Sequence, residues 1–175
     1  MKTWMRIVVV AFVILVLLLH GCSHPRQWVP YGTRLKFDSN TDRQAARSIS
    51  SSWTSVNSGL IIWANSQNGA IVSDPTHDFN EYFALTAIYG RRGMADSGIV
   101  VTDIWQKQNV VYVRAQFLRD TIGMVAAMEN TPSDTVWVSK RNMLQFGELT
   151  FIIMDDYLKE RARITAIIDP PATSN

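Results

Sequence analysis

The chain is almost without cysteine: Cys22 is the only one in 175 residues. A disulfide needs two thiols, so the chain cannot form one internally and its core must be held together by packing alone. A zinc site built on paired cysteines is excluded for the same reason. The length suits one domain with a substantial apolar core.

The chain also lacks an excess of charge of either sign. Its formal net charge is +2, from 17 basic and 15 acidic residues, and Lys2 and Arg6 account for the difference. The rest of the chain is neutral, so it has no global field that would attract nucleic acid or an anionic membrane surface. We therefore expect no nucleic-acid partner.

Residues with catalytic chemistry are scarce and form no familiar motif: nucleophile elbow, phosphate-binding loop and dinucleotide fingerprint are all missing. His77 lies beside Asp74 and Asp78, but a metal would need a further ligand, so we expect a solvated loop histidine. Asp155 and Asp156 are adjacent, and adjacent residues of a strand point apart, which predicts a solvated turn. The sequence predicts no enzyme activity, no metal and no cofactor.

What the chain does have is a long apolar run behind a short basic head. Residues 7–19 are 13 consecutive apolar residues, a run that is short for a spanning helix of roughly 20 residues and typical of a secretory signal. It ends in Leu19-His20-Gly21-Cys22, which resembles a bacterial lipobox. The resemblance implies that residues 1–21 are a signal peptide and that Cys22 receives a covalent lipid, a diacylglycerol with fatty acyl chains such as palmitate.

A lipid on Cys22 implies a protein held at a membrane. One acyl chain binds a bilayer only marginally, and stable anchoring needs two or more hydrophobic attachments; a bacterial lipoprotein normally carries three. We therefore expect a protein tethered to the cell envelope. Ser23 would direct it, in a Gram-negative cell, to the outer membrane, facing the periplasm.

Residues 22–40 contain Pro25, Pro30 and Gly32 and few periodic apolar positions. This composition predicts a tether that joins the domain near residues 35–37. The alternative is a first edge strand, with Trp28 and Tyr31 covering the core.

Residues 41–169 predict a single β-rich domain, followed by a polar tail at 170–175. A helix is favoured at 41–57, where Ala46, Ile49 and Trp53 recur at spacings of three and four. Short apolar segments between turn signals predict strands at 60–64, 70–72, 81–89, 99–105, 110–118, 123–128, 135–138, 149–154 and 161–168. The fold class is all-β, or α+β if the helix is counted, and the architecture is a small antiparallel β-sandwich or barrel.

Two hairpins are the sharpest local predictions. Residues 99–118 read as two strands joined by a four-residue connection at 106–109, and 149–168 as two strands joined within 155–160. In the segment 110–118 apolar and polar residues alternate, a period of two that puts one set on the core and the other towards solvent. The core set is Val111, Val113, Ala115 and Phe117.

Three residues are candidate contacts for a partner protein. Arg91 and Arg92 follow Gly90 in a loop. Trp137 faces outward if Val136 and Val138 face the core, and aromatic residues are enriched in interaction hot spots. An equally simple interpretation is that Trp137 lies flat over its own sheet.

The stretch from about Pro75 to Lys140 resembles the C-terminal domain of the protease complex subunit PrcB family. The landmarks that carry the resemblance are Pro75, Asp78-Phe79, the apolar segment 84–89 with Gly90 and Arg92, Ser97-Gly98 opening 99–117, and Pro132 followed by a strand ending in Lys140. The resemblance implies a small β-rich lipoprotein that binds or stabilises a partner, such as a surface protease.

The residues and the resemblance together predict a membrane-tethered lipoprotein that acts as a non-catalytic binding, assembly or stabilising module for an envelope protein complex. The alternative is a protease-inhibitor-like sandwich whose loops at 91–97 and 130–134 enter the cleft of an envelope or secreted protease. An enzyme acting on peptidoglycan or lipid would have to use loop carboxylates such as Asp78 and Asp156.

Overall fold

A computed structural model of the chain describes residues 32–39, 54–64, 77–93, 97–118 and 130–172. These residues form nine strands and one short 3-10 turn at Lys140–Asn142. The strands are β1 (Thr33–Arg34), β2 (Phe37–Asp38), β3 (Gly59–Trp63), β4 (Tyr82–Ile88), β5 (Gly98–Lys107), β6 (Val110–Leu118), β7 (Ser133–Ser139), β8 (Gly147–Met154) and β9 (Glu160–Ile168).

The strands form two sheets that pack face to face. One has the order β1-β5-β6-β8-β9 and the other the order β2-β7-β4-β3. The predicted all-β sandwich is confirmed, and the sheets do not close into a barrel. One pair departs from the antiparallel expectation, because β6 and β8 are parallel. The intervening β7 runs back through the opposite sheet, so the chain re-enters beside β6 in its original direction.

The domain begins earlier than residue 41, the predicted boundary. Residues 33–34 pair with β5, and residues 37–38 pair with β7 in the other sheet. Between them Leu35 is buried, at 2 % exposure. The segment 33–38 is therefore an edge strand that passes from one sheet to the other, and any tether ends before Thr33.

The β5–β6 hairpin is confirmed, but its connection is two residues long rather than four. Gln106 and Lys107 continue β5, and they pair with Val111 and Val110. Gln106 is fully buried because its side chain bonds the chain beyond the 3-10 turn: its Nε2 donates to Gln145 O at 2.9 Å, and its Oε1 accepts from Leu144 N at 2.8 Å. The predicted connection was too long because the polar residue Gln106 was assigned to the turn, whereas it belongs to β5.

The core lies between the two sheets. In β6 the predicted alternation holds, with three residues of the core set fully buried and Phe117 half-buried against them. The second hairpin, β8 and β9, also follows its prediction. The largest fully buried core side chains include Phe83, Leu85, Ile104, Leu149, Phe151 and Ile153.

Each sheet is also apolar on part of its outer face. On the four-stranded sheet the outer cluster is Trp63, Ala84, Ile88 and Trp137. On the five-stranded sheet it is Trp105, Ile152 and Met154. Burial on both faces explains why 81–89 reads as a continuous apolar run, compatible with helix or strand by periodicity alone; it is the strand β4.

Several predictions fall outside the described residues. They are the lipid site at Cys22, the strands at 70–72 and 123–128, and most of the helix at 41–57. Residues 54–57, at the end of that segment, are described and are not helical.

Candidate partner-binding surface

The strands run between two ends of the sandwich, which we call basal and apical. At the basal end the chain enters the domain, where Thr33 pairs with Gln106 near the β5–β6 turn. At the apical end β4 and β6 finish, and the rings of Tyr89 and Phe117 meet at a centroid distance of 5.0 Å. The β8–β9 turn is also apical, because the guanidinium of Arg161 lies over the Phe117 ring at 5.5 Å.

The predicted loop arginines lie at the apical end, on a backbone that three segments hold together. Arg92 N donates to Asn130 O at 2.7 Å, and Asn130 N donates back to Arg92 O at 2.8 Å. Arg91 N donates to Ser55 O at 2.9 Å. Gly90 has a φ of 89°, and a Cβ there would lie 2.6 Å from Asn57 O, so a larger residue would push this segment away.

The two arginines differ in what their side chains do. The guanidinium of Arg92 lies 4.0 Å from the centroid of the Tyr89 ring, and its Nη2 donates to Tyr89 O at 2.8 Å. Its buried Nε has no hydrogen-bond partner in the described part of the chain. Arg91, by contrast, is exposed. Of the predicted pair, Arg92 acts as a brace for the loop and Arg91 is the one presented to solvent.

A row of stacked groups crosses the apical end from one sheet to the other. It runs from Arg92 over Tyr89, on to Phe117 and then to Arg161. Arg161 closes the row with a 2.6 Å ion pair to Asp155. Cation–π and edge-to-face aromatic contacts of this kind each contribute roughly 0.5–1.5 kcal/mol. The loop at Arg92 and the β8–β9 turn are therefore parts of one connected structure.

Asp155 organises the β8–β9 turn, and the prediction that both carboxylates are solvated is wrong for this residue. Asp155 is 4 % exposed. Its Oδ1 accepts from the main-chain N–H groups of Tyr157 and Lys159 at 3.0 and 2.9 Å, and its Oδ2 accepts from the Arg161 guanidinium. Burial alone would raise the pKa of Asp155, but these hydrogen bonds outweigh it and hold the pKa below its usual value. Asp156 points elsewhere and pairs with Arg114 at 3.6 Å.

The same turn presents an aromatic side chain that the sequence reading passed over. Tyr157 is 91 % exposed. The next residue, Leu158, has a φ of 61°, a conformation that costs energy for a residue other than glycine. Leu158 itself packs against the cluster of Trp105, Ile152 and Met154. One side of the turn is thus fixed to the sheet while Tyr157 projects from the other.

Exposed apolar side chains concentrate at the apical end. Six large hydrophobic residues are exposed in the described part of the chain, and four of them are apical: Val56, Val100, Leu118 and Tyr157. The other two are Leu144, beside Gln106, and Ile167, beside Glu148, both towards the basal end. The apical end therefore presents more exposed apolar side chains than the basal end does.

Trp137 does not lie on this surface. It faces outward as its strand position predicts, but it is 2 % exposed. The His77 ring stacks on it at 5.1 Å, and Phe79 packs edge-on at 5.1 Å. Trp137 pairs with Ala84, which is roughly 20 Å along β4 from Gly90 at the usual rise per residue. The expectation of an exposed anchor is wrong, because Trp137 is packed on its own sheet beneath His77 and Phe79.

His77 is likewise a packed residue rather than a solvated one. Its side chain is 10 % exposed, its ring meets Tyr82 edge-on at 4.8 Å, and its Nε2 lies 3.8 Å from Asp38 Oδ2. No group of three or more His, Cys, Asp or Glu side chains in the described ranges could hold a metal ion. The segment 77–80 therefore serves as a cover for Trp137.

Two charged residues at the strand ends, one buried and one half-buried, were also missed by sequence reasoning. Lys140 is 3 % exposed and donates from Nζ to Phe79 O at 2.8 Å, and burial lowers its pKa. Asp134 joins the two sheets, because its Oδ2 accepts from Val101 N at 2.7 Å, beside the bulge in β5. Burial raises the pKa of Asp134. Nothing in the local sequence distinguishes either residue from a surface charge.

Among the described residues, no helix is long and apolar enough to cross a membrane. Comparison with known proteins adds no relative: no protein-family model, no curated protein and no solved structure matches the chain. The function has to be argued from the sequence motif at Cys22 and from the geometry of the two ends.

Proposed function

We propose that this protein is a lipid-anchored, non-catalytic binding or assembly module of the bacterial cell envelope. The observation that carries the proposal is Leu19-His20-Gly21-Cys22 at the end of a 13-residue apolar run. A signal-like run and a lone cysteine are explained together by lipid attachment, whereas an unpaired thiol in an exported protein would otherwise be a liability.

The direction of the fold supports the proposal. Only ten residues separate Cys22 from Thr33, and they reach at most about 40 Å when fully extended. A lipid on Cys22 would therefore keep Thr33 within about that distance of the bilayer. The apical end lies a strand length of roughly 30 Å from Thr33, so a partner can reach it without meeting the point of attachment.

The use of the carboxylates supports a non-catalytic role. Asp155 fixes a turn, and Asp78 accepts from both the main-chain and side-chain nitrogens of Asn80 at 2.9 Å. The hydrogen bonds from Asn80 lower the pKa of Asp78. Asp156, the other carboxylate that would motivate an enzyme acting on peptidoglycan or lipid, pairs with Arg114 at 3.6 Å.

The resemblance to the PrcB family supports a protease as the partner, and one observation favours the inhibitor-like alternative. In the described parts of the two predicted loops, residues 91–93 and 130–134, Arg92 and Asn130 are joined by two main-chain hydrogen bonds. A rigid edge of this kind suits entry into a cleft, because little entropy is lost on binding. Titration of the lipidated protein against envelope proteases tests this alternative, and no inhibition at micromolar concentration would exclude it.

The test of the main proposal starts with the anchor. Labelled palmitate should enter the wild-type protein and not Cys22→Ala, and the wild-type protein should fractionate with membranes. An envelope partner should co-purify with the wild-type protein and be lost with the mislocalised variant. Absence of label, or an envelope interactome unchanged by deletion of the gene, would contradict the proposal.

A further inference from the structure

The β8–β9 turn is held by both side-chain and main-chain hydrogen bonds. A single buried carboxylate, Asp155, accepts from two main-chain N–H groups and one guanidinium within a span of seven residues. Two main-chain bonds close the same turn, from Leu158 N to Asp155 O at 2.9 Å and from Asp155 N to Lys159 O at 3.1 Å. Tyr157, the most exposed large hydrophobic residue in the described part of the chain, lies at its tip.

Such a turn has the properties of a preorganised binding element. A tyrosine offers a large apolar ring with a polar end at low rotamer cost, which is why it is enriched at protein interfaces. Fixing the backbone beforehand removes most of the ordering cost of binding. The row from Asp155 through Arg161, Phe117 and Tyr89 extends this rigidity to the loop at Arg92.

We propose that the apical end is the docking surface for a folded protein partner, and that Tyr157 is its anchor, inserted into an apolar pocket that also hydrogen-bonds the phenol hydroxyl. This inference deepens the proposed function and rests on it. Val56, Leu118 and Val100, with exposures of 64 %, 41 % and 42 %, are further exposed apolar side chains towards the same end of the sandwich.

The charges around Tyr157 favour a protein over a bilayer or a nucleic acid. Asp156 pairs with Arg114 at 3.6 Å, and Glu160 pairs with Arg163 at 2.7 Å. These pairs leave a rim of mixed sign, whereas anionic lipids and nucleic acids require a basic patch. A rim of mixed sign around an apolar centre is the usual anatomy of a protein–protein interface.

The experiment places a photoreactive benzophenone amino acid at position 157 of the full chain, expressed in its native host. Matched controls carry the same group at Leu144 and Ile167, which are exposed by 57 % and 62 % but lie towards the basal end. Irradiation should give one discrete protein adduct from position 157 and none of that mass from the controls. The partner is then identified by mass spectrometry and purified.

Binding of that purified partner to the lipidated protein decides the role of Tyr157. Tyr157→Ala should weaken binding about thirtyfold, as expected of an aromatic hot spot. Tyr157→Phe should weaken it only about three- to tenfold, since it loses the hydroxyl alone. Ile167→Ala should leave binding unchanged.

Four outcomes would overturn the inference: the same adduct from Leu144 or Ile167, an adduct of twice the chain mass, label found only in lipid, or equal binding by Tyr157→Ala and wild type. These are distinguishable from failure of the proposed function. If palmitate labels Cys22 and position 157 captures nothing, the anchor stands and the docking surface does not. If palmitate does not label the protein, the proposed function is contradicted, whatever position 157 captures.

Discussion

Trp137 and Tyr157 are two aromatic side chains with opposite fates. Trp137 sits on the outer face of a sheet and is covered by the segment 77–80, so it is 2 % exposed. Tyr157 sits on a turn and is 91 % exposed. The face of a strand residue follows from its position, but its exposure depends on what packs over the face. The comparison predicts that Trp137 contributes to stability and Tyr157 to binding.

The largest effect is expected from Trp137→Ala. Removing a buried tryptophan and its contacts with His77 and Phe79 should lower the free energy of unfolding by about 3–5 kcal/mol, measured by urea denaturation. Trp137→Phe should recover more than half of this loss. A loss below 1 kcal/mol would show that the cover formed by residues 77–80 does not contribute to stability.

The next largest effect is expected from Asp155→Ala, which removes the acceptor that fixes the β8–β9 turn. Loss of its charge-assisted hydrogen bonds should cost about 2–3 kcal/mol at pH 7. Because the folded-state pKa is lowered, this stabilisation is present above the unfolded pKa of 3.8 and is lost as the pH falls through the folded value. The difference between wild type and variant should therefore shrink in acid, and a constant difference from pH 7 to pH 2 would contradict the assignment.

A smaller effect of opposite sign is expected from Asp134→Asn. Burial raises the folded-state pKa of Asp134 above 3.8, so wild-type stability from this group is greatest below 3.8 and falls as the pH rises through the folded value. The amide oxygen of the variant can still accept from Val101 N–H. Asp134→Asn should gain stability relative to wild type between pH 3 and pH 7, and denaturation across that range measures the trend. A relative loss would mean that the charged carboxylate is required.

The smallest effect on stability is expected from Tyr157→Ala. A side chain with 91 % exposure should change the free energy of unfolding by no more than about 0.5 kcal/mol. Circular dichroism and urea denaturation should match wild type. A large loss would place Tyr157 in the structural network, and its proposed role as an anchor would have to be abandoned.

A strand could be predicted from the sequence where only one of its faces is buried or where turn residues mark its ends. In β6 the alternation of Val111, Val113 and Ala115 with polar residues predicts the inward face correctly. The periodicity of β4 does not distinguish a strand from a helix, because β4 is apolar on both faces. It could be predicted as a strand only because the neighbouring segments are strands. The end of β5 was misread, since Gln106 is buried through hydrogen bonds to residues 144 and 145, contacts that no local pattern reveals.

The candidate surface was only partly predictable. Arg91 and Arg92 could be placed in a loop, but the pairing of Arg92 with Asn130 joins residues 38 positions apart. Asp155 and Asp156 look equivalent as neighbours, and they differ because only Asp155 meets Arg161. The exposure of Tyr157 could not be predicted from the sequence, since an aromatic residue in a polar turn is compatible with either burial or exposure.

The crossing of the chain from β1 to β2 has a mechanical consequence. If the protein is lipid-anchored as proposed, a force applied through the anchor would enter the described part of the domain at Thr33, and residues 33–38 pair with β5 in one sheet and with β7 in the other. The first segment of the domain is thus hydrogen-bonded to both sheets. Detaching the segment 33–38 completely would therefore require breaking its pairing with both sheets.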